Sequence, residues 1–120
     1  MNATITLPPT ELYNYKRQWN LQTIWDKSTV LIPDQIEVNY LWDLRYSRAW
    51  CWQHDEEEIN NLFFLHHLKR VMHADLSYPI ILSEENYILD GVHRLMRAKY
   101  LDLKTIAYVK FSKDPTPDIK

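Results

Sequence analysis

Five consecutive residues, Asp90-Gly91-Val92-His93-Arg94, bring together a carboxylate, the only glycine of the chain, an imidazole and a guanidinium. The apolar run Tyr87-Ile88-Leu89 leads into them, and a helix-forming stretch, Leu95-Met96-Arg97-Ala98, leaves them. A strand end, a tight turn and a helix start therefore fall at one point. The first N–H groups of a helix lack intrahelical acceptors, and the helix dipole is positive at that end. Beside a permanent cation, such a turn suits a phosphate. Gly91 lets a ligand approach the backbone without a Cβ and can take positive φ. Arg94 is the candidate phosphate clamp, with its planar fork of donors. His93 can donate to a phosphate oxygen or shuttle a proton near neutral pH. Asp90 can orient His93 or Arg94, hold Mg²⁺ on a nucleotide, or act as a base. Arg97, one turn beyond Arg94, can reach a second phosphate. Plainer roles fit the same spacing. Asp90-Gly91 reads as an ordinary turn with Asp90 as helix cap, His93 as a packing residue, Arg94 as a partner of Asp90 or Asp102, and Arg97 as surface.

The neighbouring pattern resembles that of the ParB/sulfiredoxin superfamily. Pro79-Ile80-Ile81-Leu82 matches its P-[IV]-[IV] strand, Tyr87-Ile88-Leu89 the second strand, and Asp90-Gly91-Val92-His93-Arg94 the motif that ends it. Arg97-Ala98 matches an R-x-x-A step, and Thr105-Ile106-Ala107-Tyr108-Val109 the closing strand. The motif is most similar to the D-G-H-H-R box of free-serine kinases and the G-C-H-R box of sulfiredoxins, whereas ParB proper carries G-E-R-R. The resemblance implies a small α+β domain, a mixed sheet with packed helices. It also implies a nucleoside triphosphate, ATP or CTP, bound with Mg²⁺ at Gly91, Val92, His93, Arg94 and Arg97. Asp90 and His93 would carry phosphoryl transfer or hydrolysis of the triphosphate, where most of the catalysis is positioning and charge neutralisation. The helix Asp55–His73 and the loop Leu44–His54 would complete the pocket.

Val92 departs from the pattern. Sulfiredoxins place their nucleophilic cysteine there, and valine cannot attack a phosphoryl or sulfinyl group. Cys51, flanked by Trp50 and Trp52, reads as a small buried hydrophobe, so repair of sulfinic acids is not expected. The free-serine kinases have a second histidine at the Val92 position. The short stretch after Phe111 leaves no room for the DNA-reading helix-turn-helix that follows in ParB. The alternative reading is therefore a non-catalytic ParB-like binding or regulatory module. It would act on nucleic acid or a protein partner, with a homo-oligomer as one form of that partnership.

Other chemistry has less to stand on. His66 and His67 are adjacent on a helix and so about 100° apart, His73 lies seven residues from His66, and Glu58 is too remote to complete a zinc site. Glu56, Glu57 and Glu58 suit a helix start, where the dipole favours acids; the resemblance to kinases of this fold also offers one of them as an upstream catalytic acid. Arg45, Arg48, Trp50 and Trp52 mix cations with aromatics and could stack a base or single-stranded nucleic acid. Against general polyanion binding, 14 Lys and Arg face 16 Asp and Glu, for a net charge of −2. The length of 120 residues suits one domain, and 46% hydrophobic residues supply a core. A single cysteine points to a reducing compartment, and neither a secretion signal nor a membrane-spanning apolar run is present. The expected location is cytoplasmic, with no membrane partner.

Three segments position the motif: an N-terminal extension over residues 1–29, a ParB/sulfiredoxin-like domain over 30–111, and a flexible tail over 112–120. The patterning predicts an edge strand over Ala3–Leu7, ended by Pro8-Pro9, then a weak helix over Glu11–Trp19 capped by Thr10. Val30–Ile32 reads as a strand, as does Ile36–Leu41, and Trp42–Trp52 as loop or short helix. Asp55 caps a long helix over Glu56–His73, with Phe64, Leu65, Leu68, Val71 and Met72 on the face laid against a sheet. Strands Ile80–Leu82 and Tyr87–Leu89 flank a polar turn, Ser83-Glu84-Glu85-Asn86. Helix His93–Leu101, the turn Asp102-Leu103-Lys104 and strand Thr105–Phe111 follow, and the tail Ser112–Lys120 is expected to fray.

Overall fold

In the computed structural model of the chain, whose described residues are 3–48 and 61–118, the Gly91 turn lies at the edge of a four-stranded mixed sheet. The elements run β1 (Thr4–Leu7), β2 (Arg17–Asn20), α1 (Leu21–Ser28), β3 (Asp34–Glu37), α2 (Val38–Arg48), α3 (Asn61–Met72), β4 (Ile80–Leu82), β5 (Ile88–Asp90), α4 (Val92–Tyr100) and β6 (Thr105–Lys110). The main sheet has the order β3-β6-β4-β5. β4 and β6 pair in parallel, joined by the long crossover through β5 and α4 that a parallel pair needs, and the two outer pairings are antiparallel. β1 and β2 form a separate antiparallel hairpin in which Ile5 pairs with Trp19.

All three residues of β4 are buried, which fits a continuous apolar strand covered on both faces. Strand alternation divides the core accordingly. Ile80, Leu82, Ile88 and Ile106 face α2 and α4, packing with Val38, Leu41, Val92, Leu95 and Ala98. Ile81, Leu89 and Val109 face the other way, against Leu7, Trp19, Ile24, Tyr87 and Phe111. The result is a small α+β domain. Residues 3–29, part of the expected extension, supply the layer over the second face of the sheet.

From β4 to β6 the elements follow the pattern read from the sequence to within about one residue at each boundary. The N-terminal half departs from it. No helix forms over Glu11–Trp19. Residues 11–16 are irregular and β2 follows, because strand alternation buries Arg17 and Trp19 to 1% and 0% exposure. Thr10 still caps a local turn, its Oγ1 accepting from Tyr13 N at 3.2 Å. A helix appears instead at α1, which has no side-chain cap. Val30–Ile32 is not a strand; Val30, in the turn after α1, and Ile32, in the irregular stretch beyond it, stand exposed. Only Asp34–Glu37 of the next segment is extended, and Val38 begins α2, which places Val38 and Leu41 one helical turn apart on the core side.

In α3, Val71 is buried but Leu65, Leu68 and Met72 are exposed, since this helix lies against α4 rather than across the sheet. The expected start of that helix, with Asp55 and Glu56 to Glu58, lies outside the described residues, as do Trp50, Cys51 and Trp52. The tail does not fray over its described part. Asp114 is buried and accepts from Arg17 Nη1 at 2.8 Å. Trp19 Nε1 donates to Pro115 O at 2.9 Å, and Asn20 N donates to Asp118. Among the described residues no helix is long and apolar enough to cross a membrane.

Candidate functional site

β5 ends at Asp90, and Gly91 turns the chain into α4 with φ 107° and ψ 17°. Leu95 N donates to Gly91 O at 3.0 Å, the first bond of the helix, and no side chain caps this end. The N–H groups of Val92, His93 and Arg94 thus fall in the first turn, where intrahelical acceptors are lacking. A Cβ added to Gly91 would lie 3.0 Å from Arg94 Nη1, 3.1 Å from Ile80 Cγ1 and 3.2 Å from Ile80 Cα. Glycine is therefore required here by positive φ and by the close approach of β4 and of the Arg94 guanidinium, both internal to the protein.

Arg94 does not project freely. Its Nη1 donates to Pro79 O at 2.8 Å, its Nη2 pairs with Asp90 Oδ2 at 3.4 Å, and the guanidinium lies 5.9 Å from the centre of the Tyr78 ring. The same Asp90 oxygen accepts from Trp25 Nε1 at 2.8 Å. Trp25 belongs to α1, a helix the sequence pattern did not announce, and joins the site from 65 residues away.

His93 Nε2 lies 3.2 Å from His67 Nδ1, a contact that joins α4 to α3. Burial first, then the neighbouring His67 and Arg70, push the His93 pKa down to about 4, against the opposing pull of Asp90. His93 is therefore neutral at pH 7. A neutral imidazole carries one N–H, so one ring nitrogen of His93 donates and the other accepts.

Two expected ligand residues point elsewhere. The Val92 side chain is buried in the core, so only its backbone N–H is available to a ligand. Arg97 donates to Met72 O and so satisfies a carbonyl at the C-terminal end of α3, instead of reaching for a second phosphate.

Around the turn lies an open depression of about 380 Å³, lined by Asp90, Gly91, His93 and Arg94 and, from the end of α3 and the loop beyond it, by Arg70, His73, Asp75 and Tyr78. Asp75 is committed to Ser77, whose N and Oγ both donate to its Oδ1 and hold its carboxyl below the usual range. Two arginines thus face two carboxylates, and the backbone N–H groups of the α4 start add the remaining attraction for an anion. Arg70 and His73 are exposed contributors that the reading of α3 as a packing helix passed over. Among the described residues no group of three His, Cys, Asp or Glu side chains could hold a metal ion. Arg45 and Arg48 fall in the C-terminal part of α2.

No protein-family model, no curated protein and no solved structure matches the chain.

Proposed function

We propose that the chain is a nucleotide-binding domain of ParB/sulfiredoxin type, which holds the phosphates of a nucleoside triphosphate such as ATP or CTP at the Gly91–Arg94 turn. One observation carries this reading: an uncapped helix start at a positive-φ glycine opens into a depression lined by Arg70, His73, His93 and Arg94. The N–H groups of the first turn would receive the anion. Arg94 is already fixed by Pro79 O and Asp90, so it would offer a positioned charge with little ordering cost. Mg²⁺ would arrive on the triphosphate, whose oxygens supply most of its ligands. Asp90 fits such an ion only in part, because its Oδ2 already accepts from Trp25 and Arg94.

That engagement favours binding over turnover. Phosphoryl transfer at this turn would require Asp90 or His93 to move a proton. Asp90 is occupied by two donors, and a His93 with pKa near 4 is a weak base at neutral pH. Product formation from ATP or CTP that disappears in Asp90→Asn would restore the enzymatic reading.

Calorimetry with tripolyphosphate, and with ATP and CTP plus Mg²⁺, tests the site. Arg70→Glu reverses an exposed charge that lines the depression, so the fold should survive. Affinity should fall by on the order of 1 kcal/mol, roughly five- to tenfold, for a charge a few ångströms from the phosphates in a wet site. Equal affinities in variant and parent would remove the anion from this depression.

A further inference from the structure

On the other side of the Asp90–Arg94 pair lies a larger cavity of about 580 Å³, within the range of small-molecule sites. Buried Ile81 and Val109 form part of its lining, together with Leu31 and Pro79. Two aromatic side chains that remain substantially exposed, Trp25 and Tyr78, also border it. Tyr78, Asp90 and Arg94 line both this cavity and the depression at the helix start. The two spaces are therefore neighbours across a single wall of three side chains.

We infer that this cavity takes the base of the nucleotide whose phosphates lie at Gly91–Arg94, and that it reads the base by its flat apolar face with little regard to its edge. The inference rests on the nucleotide reading above. Trp25 donates its one indole proton to Asp90, which fixes the ring and leaves it only π surface to offer. Arg94, near the Tyr78 ring, supplies the cation that aromatic ligands favour. The hydroxyls at this end of α1 are already used inside the protein: Ser28 Oγ donates to Trp25 O and Thr29 Oγ1 to Asp26 O. Few donors remain to distinguish one base edge from another, so stacking dominates, as it does in sequence-tolerant recognition of bases. The base would lie beside α1. Asp90 joins the two halves, since the carboxylate that orients Trp25 also pairs with Arg94.

Calorimetry on the full chain separates the parts. The parent should bind ATP and CTP roughly tenfold more tightly than tripolyphosphate, and within about threefold of each other, if stacking supplies the difference. Thr29→Trp adds bulk at an exposed position that lines the cavity, and should bring both nucleotides to the affinity of tripolyphosphate without changing the latter. Adenosine and cytidine at millimolar concentration should move the Trp25 indole N–H resonance, identified by its loss in Trp25→Phe. Equal affinity of the parent for tripolyphosphate, ATP and CTP would overturn the base site while keeping the anion site. A preference for one nucleotide well beyond tenfold would overturn face-only recognition. If none of the three binds, the nucleotide reading falls and this inference with it.

Discussion

Replacing Gly91 with alanine should destabilise the protein by about 2–5 kcal/mol, from two separable causes. The first is backbone strain. At φ 107° Gly91 lies well beyond Asn86 and Asp102, which sit at φ 66° and 56° in the left-handed region that Asn and Asp tolerate. Forcing an L-residue into positive φ costs about 1–2 kcal/mol. The second cause is crowding. The new methyl would meet Arg94 Nη1 at 3.0 Å and Ile80 at 3.1 and 3.2 Å. The arginine tip can retreat, but Ile80 Cα belongs to the fully buried strand β4, and overpacking of this kind costs about 1–3 kcal/mol. Urea denaturation with linear extrapolation measures the sum. A double-mutant cycle with Arg94→Ala separates it, because removing the guanidinium relieves one of the three contacts and leaves the strain. The cycle should show a coupling of about 0.5–1 kcal/mol. A loss below about 1 kcal/mol for Gly91→Ala, with no coupling to Arg94, would refute both the positive φ and the close approach.

Two further outcomes follow from groups described above. His93 titrates near 4 in the fold and near 6.5 when unfolded, so the unfolded chain binds more protons between those values. Stability should be at its full value above pH 6.5 and fall as pH drops toward 4, by up to about 3 kcal/mol and less where water screens the ring. His93→Gln should flatten that part of the pH profile, and parallel profiles in parent and variant would assign the slope to other groups. Asp114→Ala should cost about 3 kcal/mol, the lower end for a broken buried pair, because Arg17, 1% exposed, would lose its partner at 2.8 Å and keep only Glu85 at 3.9 Å. Thermal unfolding indistinguishable from that of the parent would show that residues 112–118 are not held on β2.

The legible parts of the sequence are those whose causes are local. Ile80–Leu82, Tyr87–Leu89, Gly91 and the helix beyond it announce themselves by apolar runs and a glycine, and they form as read. The Asp90–Arg94 pair was legible as one alternative at i,i+4 spacing. What the sequence hides is set by distant partners. Glu11–Trp19 carries a helix cap, yet Trp19 is worth more beneath the sheet, next to Val109 and Phe111, than on a short helix with weak formers. Trp25 meets Asp90 across 65 residues and His67 meets His93 across 26, and neither pairing leaves a periodic trace. Arg97 shows the converse: its spacing from Arg94 suggested a shared ligand, but the end of α3 supplies a carbonyl that it satisfies first.

The Arg17–Asp114 pair also fixes an order of assembly. During synthesis the β1–β2 hairpin emerges before the sheet, carrying Leu7, Trp19 and a cation, Arg17, whose partners in its own half of the chain are the Tyr13 and Trp19 rings. The surface it covers, made by Ile81, Leu89 and Val109, exists only after β6 has paired with β4. The carboxylates that meet Arg17 in that layer, Asp114 at 2.8 Å and Glu85 at 3.9 Å, both come from the later half of the chain. The sheet and its α2–α4 layer must therefore form with their second face still wet, and the hairpin closes over it last. Loop closure of that length slows folding, and the open face is a target for association while it lasts.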